Sequence, residues 1–164
     1  MSYICATGKT WYPVAPTVRY DLTGRLHPSL NAKDVILHIA NVWGNHAMLN
    51  VEFGGSALVD MSMDSRRTLA TMCAEISAEF AVFEADDRCV EYVRSRNPTA
   101  CFEPQFADPD APYVERRMLD LGELEPLVAY PGTVVENAHP VSEAASVKVD
   151  QAFIGSCANG TLDD

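Results

Sequence analysis

Basic residues are scarce: twelve Lys and Arg stand against twenty-three Asp and Glu, giving a net charge of −11 over 164 residues. Such a chain has little with which to neutralise phosphates along a groove, so no nucleic-acid partner is expected. An anionic membrane surface is disfavoured on the same ground. Long apolar runs are missing too. No stretch approaches the about 20 residues that span a bilayer, and no signal-peptide pattern opens the chain, so no membrane role and a cytoplasmic location are expected. There is no Cys-x-x-Cys pair. The five cysteines (Cys5, Cys73, Cys89, Cys101 and Cys157) are odd in number and irregularly spread, which points to a reducing compartment rather than a disulfide framework. A phosphate loop is lacking as well. Gly8-Lys9-Thr10 ends a Walker-like string, but the glycine required five positions earlier is Tyr3, and Trp11-Tyr12-Pro13 follows where a helix should begin.

What is present suits one ordinary core. Apolar residues make up 48% and charged residues 21%, as in a globular domain. Thr17 to Leu26 alternates apolar and polar residues (Val18, Tyr20, Leu22), which predicts a half-buried strand. Ser29 to Asn31 can cap a helix with Asp34 in its first turn. Val35, Ile36, Ile39, Val42 and Trp43 then fall on one face, with His38 beside it, until Gly44-Asn45. Met48 to Phe53 reads as a second strand, broken by Gly54-Gly55. A long helix is expected over Ser62 to Phe80, capped by Ser62, with Leu69, Met72, Cys73, Ile76 and Phe80 as its buried stripe. Thr71 and Glu75, four apart, would share a face; periodicity alone makes Glu75 a solvated carboxylate. Ala81 to Glu84 reads as a strand, and Asp86 to Ser95 as a helix with Cys89, Val90 and Val93 inward. Asn97 to Pro112 reads as a surface loop. Arg116, Met118 and Leu119 mark a further strand leading into Leu121 to Tyr130. Val134 to Ala145 reads as a linker carrying an exposed His139, and Val147 to Ile154 as a last strand.

That last strand delivers Ile154-Gly155-Ser156-Cys157-Ala158-Asn159-Gly160, with Leu162-Asp163-Asp164 reading as the first turn of a helix. A thiol between a strand end and a helix N-terminus faces backbone N–H groups that favour the thiolate, the form that binds soft metals or attacks electrophiles. For a lone cysteine a buried structural role is the ordinary alternative. The string resembles the first cluster-ligand motif of the aconitase and 3-isopropylmalate dehydratase family, where Ile-Gly-Ser-Cys-Thr-Asn is usual; here Ala158 stands in place of the threonine. The resemblance extends through Thr7 to Trp11, Ala32 to His38, Val51 to Ala57, Met61 to Met63, Met72 to Glu75, Leu124 to Pro126 and Ala138 to Val141.

The resemblance implies an α/β fold: a layered mixed sheet with flanking helices over residues 1–145, and the truncated start of the cluster-binding domain over residues 146–164. It implies a hydro-lyase that reversibly dehydrates a hydroxy di- or tricarboxylic acid of the 3-isopropylmalate type. Glu75 would be a catalytic group. Thr71 replaces the family's asparagine, Ser156 and Asn159 would lie in the substrate and cluster environment, and Cys157 would be a metal ligand. The cofactor would be a [4Fe-4S] cluster held by three cysteine thiolates. Its other two ligands come, in the family, from a later Cys-x-x-Cys, so this chain is not expected to hold the cluster alone or to be active by itself. The expected partners are a small-molecule hydroxy acid, a small swivelling subunit and the missing large-subunit segments. Two other readings stay open: a non-catalytic assembly module that keeps the fold, and a thiol-reactive protein acting through Cys157.

Overall fold

The structure, a computed structural model, describes residues 2–161. A short helix α1 (Ser2–Thr7) leads into β1 (Thr17–Thr23), α2 (Ala32–Trp43), β2 (Asn50–Gly54), α3 (Met63–Met72), β3 (Phe80–Phe83), α4 (Asp87–Arg96) and β4 (Glu115–Asp120). These four strands form one sheet in the order β3-β2-β1-β4, parallel throughout. An antiparallel pair, β5 (Leu127–Ala129) and β6 (Ala138–Pro140), stands apart from it. The sheet expected to be mixed thus resolves into a parallel sheet and a separate hairpin.

Each strand's alternation decides what it faces. Val18, Tyr20 and Leu22 of β1 line up with Val51 and Phe53 of β2, and with Leu119 of β4, on one side of the sheet. There they meet Val35, Ile36 and Ile39 of α2 and Leu69 and Met72 of α3, and every one of these is buried. At about 25 cal/mol per Å² of apolar surface removed from water, this layer is the main source of stability. The helices start where their caps are. Asn31 accepts from the Lys33 amide at 2.9 Å while Asp34 accepts from the Asn31 amide at 3.0 Å, a capping box contributing about 1 kcal/mol. The other Asp34 oxygen takes the Leu127 amide at 3.1 Å and so ties the hairpin to α2. Ser62 caps α3 and Asp86 caps α4. Arg66 of α3, only 3% exposed at its side chain, grips both Asp86 oxygens at 2.8 and 2.6 Å and the Leu58 carbonyl at 2.7 Å.

The other side of the sheet carries charge. Arg19 reaches Asp21 at 2.7 Å, Glu52 at 2.6 Å and Glu84 at 2.7 Å, and Tyr113 donates to Glu52 at 2.7 Å. Gly54 makes room for this: a Cβ there would collide with the Arg19 guanidinium. Parallel sheets are usually covered on both faces. Here an ion network and part of the 97–112 loop lie where a second helix layer would be.

Several expected elements differ. The Ser62 to Phe80 helix ends at Met72 and tightens into a 3₁₀ turn over Cys73–Ile76, after which Ser77 takes a left-handed conformation (φ 63°) and Phe80 opens a strand. Helix α4 buries no residue completely, and Cys89, Val90 and Val93 are half-buried. The 134–145 segment contains β6 rather than a linker. Asn137 shapes its turn by donating to the Tyr130 carbonyl at 2.7 Å and the Thr133 carbonyl at 2.9 Å, and His139 stacks on Tyr130 with ring centroids 4.5 Å apart. Val147 to Ile154 forms no strand. A strand needs a neighbour to take its backbone hydrogen bonds, and the run extends into solvent with Phe153 85% and Ile154 98% exposed.

Candidate functional site

The Glu75 carboxylate rides on a turn whose backbone is tied at every step. The Ser77 amide donates to the Ala74 carbonyl at 3.0 Å, and the Ala78 amide to the Cys73 carbonyl at 3.0 Å. The Glu79 amide donates to the Leu49 carbonyl at 2.9 Å, and the Ile76 carbonyl accepts from the His46 amide at 2.7 Å. Beneath it, Cys73 and Ile76 are sealed in the core, and burial pushes the Cys73 thiol up to about 12, so that cysteine is neutral and inert. Glu75 itself is exposed, as is Thr71, and among the described residues neither side chain makes a hydrogen bond or ion pair. The turn's backbone is tied and the carboxylate on it is unpaired among the described residues.

The Cys157 region is built otherwise. Ser156 adopts φ 98° and Asn159 φ 56°, with Gly155 at φ 149° between the extended run and the turn. Positive φ at a serine is a strained conformation, costing of order 1–3 kcal/mol. Gly160 closes the turn, because a Cβ there would strike the Ser156 carbonyl. Cys157 is exposed, and the Ser156 hydroxyl lies 3.8 Å from its sulfur. Ala158 is the foothold, packed against the edge of the core, and the Asn159 Oδ1 beside it is buried without a partner. The strand-to-helix corner expected around this thiol is not built by the described residues: the strand does not form, and Leu162 to Asp164 lie outside them. Among the described residues no histidine bonds Cys157.

A cubane cluster requires three thiolates. Cys73 is buried and protonated, Cys89 lies half-buried in α4, and Cys5 and Cys101 are exposed on separate segments. Among the described residues no three His, Cys, Asp or Glu side chains come together as metal ligands. One exposed thiol does not fit a whole cluster. The remaining concavities lie elsewhere: a cleft of about 540 Å³ beyond the ends of β2 and β3 is lined by Gly55, Glu84, Asp86, Asp87, Arg88 and their neighbours. Among the described residues, no helix is long and apolar enough to cross a membrane.

Sequence reasoning did not find a buried polar cluster behind the Glu75 turn, formed by His46, Tyr20 and Arg117. Tyr20 was legible as an inward residue of β1. His46 gave no signal, since Asn45-His46 after a helix reads as loop, and Arg117 is hidden among the charges of Glu115-Arg116-Arg117.

The Aconitase family (aconitate hydratase) sequence profile matches residues 2–148. The chain is 47% identical over 161 residues to the 3-isopropylmalate dehydratase large subunit of Mycolicibacterium smegmatis, covering 98% of this chain and 38% of that protein. It is 38% identical to the probable 3-isopropylmalate dehydratase large subunit of Methanothermobacter thermautotrophicus, over all of this chain and 39% of the relative. It is 37% identical to the probable methanogen homoaconitase large subunit of Methanosarcina mazei, over all of this chain and 42% of the relative. The chain therefore spans about two fifths of the length of the curated relatives it matches.

Proposed function

The chain belongs to the aconitase family, and from that premise we propose that it supplies part of the active site of a hydro-lyase large subunit. The reaction would be reversible loss of water from a hydroxy di- or tricarboxylic acid of the 3-isopropylmalate type. The observation that carries the reading is an unpaired carboxylate on a turn tied by backbone hydrogen bonds. A group that moves a proton to or from substrate must be free to hydrogen-bond it and held in place by the groups around it. Glu75 meets the first demand, and the backbone of the turn that carries it is held by hydrogen bonds. Its chemistry here is to accept or return the proton at the carbon next to the leaving hydroxyl, and Thr71 offers one hydroxyl nearby in sequence for substrate oxygen.

Cys157 would contribute one thiolate of a [4Fe-4S] cluster, with Ser156 and Asn159 lining its surroundings. The other ligands would come from outside the described residues, so no catalytic step is assigned to the cluster on this chain. Residues 146–161 would belong to a further domain, whose strands would cover Phe153 and Ile154; a small swivelling subunit would complete the substrate cavity. By itself the 164-residue chain is expected to be inactive. The exposure of Phe153 and Ile154 also suits a second reading, a non-catalytic assembly module.

One experiment separates them. The chain is co-expressed with the segments that complete the relatives' large subunit and with a small subunit, reconstituted anaerobically with iron and sulfide, and assayed for hydration of the unsaturated diacid by loss of ultraviolet absorbance. Turnover that vanishes with Glu75→Gln supports the hydro-lyase. A stable, cluster-loaded complex with no turnover supports the assembly module. A four-iron spectrum on the isolated chain would overturn the ligand assignment.

A further inference from the structure

His46 is 1% exposed, although it lies in the short connection between α2 and β2 where polar residues normally meet water. Its ring is fully engaged. Nδ1 lies 2.9 Å from the Gly44 carbonyl, which can only accept, so Nδ1 carries the proton and Nε2 presents a lone pair. That lone pair faces the Tyr20 hydroxyl at 2.7 Å and Arg117 Nη1 at 3.0 Å. Arg117 Nη1 also donates to the Tyr20 oxygen, and Nη2 pairs with Glu115. The guanidinium lies over the Tyr20 and Trp43 rings, 5.4 and 5.5 Å from their centroids. The ring is thus anchored to the end of α2, the middle of β1 and the start of β4.

What this anchoring fixes is the main chain of His46, whose N–H holds the Ile76 carbonyl, one residue past Glu75. The connection would otherwise be loose: Gly44 and Met48 both sit at positive φ (64° and 63°), and Asn45 and Ala47 are exposed. The polar chain therefore runs from Arg117 through Tyr20 and the neutral imidazole to the peptide that pins the Glu75 turn.

We propose that His46 is a positioning residue for Glu75, holding the Cys73–Ile76 turn through its main-chain N–H while Tyr20 and Arg117 lock its ring. The inference rests on the reading of Glu75 as a site residue only for its catalytic consequence; the mechanical part stands on this chain alone. The groups facing the ring are Tyr20 from β1, Arg117 and Glu115 from β4, and the Gly44 carbonyl past α2; Cys73 acts on the Tyr20 hydroxyl and Trp43 lies under the Arg117 guanidinium. Protonating His46 would set a second cation against Arg117, so the lock should open in acid.

The test is amide hydrogen exchange by nuclear magnetic resonance on the 164-residue chain. In His46→Ala, the Ser77 and Ala78 amides should exchange at least tenfold faster relative to those of Val18 and Val51. His46→Gln, which restores an acceptor near the Nε2 position, should recover most of that protection. In the unaltered chain, lowering the pH should reduce the protection of the same two amides relative to those of Val18 and Val51, whose intrinsic exchange slows in parallel, with the midpoint at which the His46 ring nitrogens titrate, and His46→Gln should lack that step. A uniform change in protection at all four amides, or a loss of relative protection unrelated to ring titration, would overturn the proposal. If His46→Ala does not fold, the glutamine variant and the titration decide the matter. In the assembled enzyme His46→Ala should lower kcat with KM little changed. An enzyme that does not assemble counts against the proposed function and leaves the exchange result standing.

Discussion

The Glu75 turn and the Cys157 turn are held by different means. The first is pinned by four backbone hydrogen bonds, two within the turn and two reaching His46 and Leu49 in the connection between α2 and β2, over the buried side chains of Cys73 and Ile76. The second depends on its own geometry: a strained serine, a glycine that cannot bear a side chain, and one alanine resting on the core edge. A carboxylate that must meet a particular hydrogen atom needs the first kind of mount. A thiol awaiting ligands from elsewhere can work from the second, provided the partner surface supplies the order that is missing.

The sharpest test of the contrast is Ile76→Ala. Removing a fully buried side chain under the Glu75 turn should cost about 2–5 kcal/mol in urea unfolding and loosen the Ser77 amide. Arg66→Ala comes next, since it cuts α3, which carries the turn, from Asp86 and the Leu58 carbonyl. Breaking a buried pair can cost about 3–5 kcal/mol; because Asp86 is a third exposed and can rehydrate, about 2 kcal/mol is expected. The Arg66 hydrogen bonds hold the Asp86 carboxyl below its ordinary range. A lowered carboxylate contributes stability that is present above the unfolded value and disappears as pH falls through the folded one. An acid titration of unfolding should therefore show the gap between wild type and Arg66→Ala shrinking below about pH 4.

Smaller effects belong to the other turn. Gly160→Ala should leave the urea midpoint unmoved within about 0.5 kcal/mol and yet change the alkylation rate of Cys157, because the turn must open to admit the methyl group. Phe153→Ser should be the mildest, within about 0.5 kcal/mol on the isolated chain. A cost above about 1 kcal/mol in that variant would mean the tail packs on the body, and the contrast between the two turns would fail.

Much of the body could be read before any coordinates. Asn31 with Asp34 announced a capped helix, and Val18, Tyr20 and Leu22 announced a strand with one buried face, because local spacing and capping chemistry decide such elements. Glu75 was legible as an exposed carboxylate. Its 3₁₀ setting was not, since the Ile76 carbonyl is met by the His46 amide from a distant segment, a contact that local spacing does not reveal. The run from Val147 to Ile154 has the composition of a strand, but composition cannot supply a pairing partner. His139 was misplaced for a related reason: its stacking on Tyr130 depends on a hairpin that Asn137 closes through three separate carbonyls.

The glycine at the end of β2 governs more than its own conformation. The Arg19 guanidinium lies where a methyl group at Gly54 would have to go, so an alanine there would evict the arginine from the centre of the polar face. Asp21, Glu52 and Glu84 would then be left crowded together with only the more distant Arg116 to offset them. Like charges at neighbouring positions repel, and the contacts that join β1, β2 and the residue after β3 through one guanidinium would be lost. An absent carbon atom is thus what lets a single cation act as the keystone of that face.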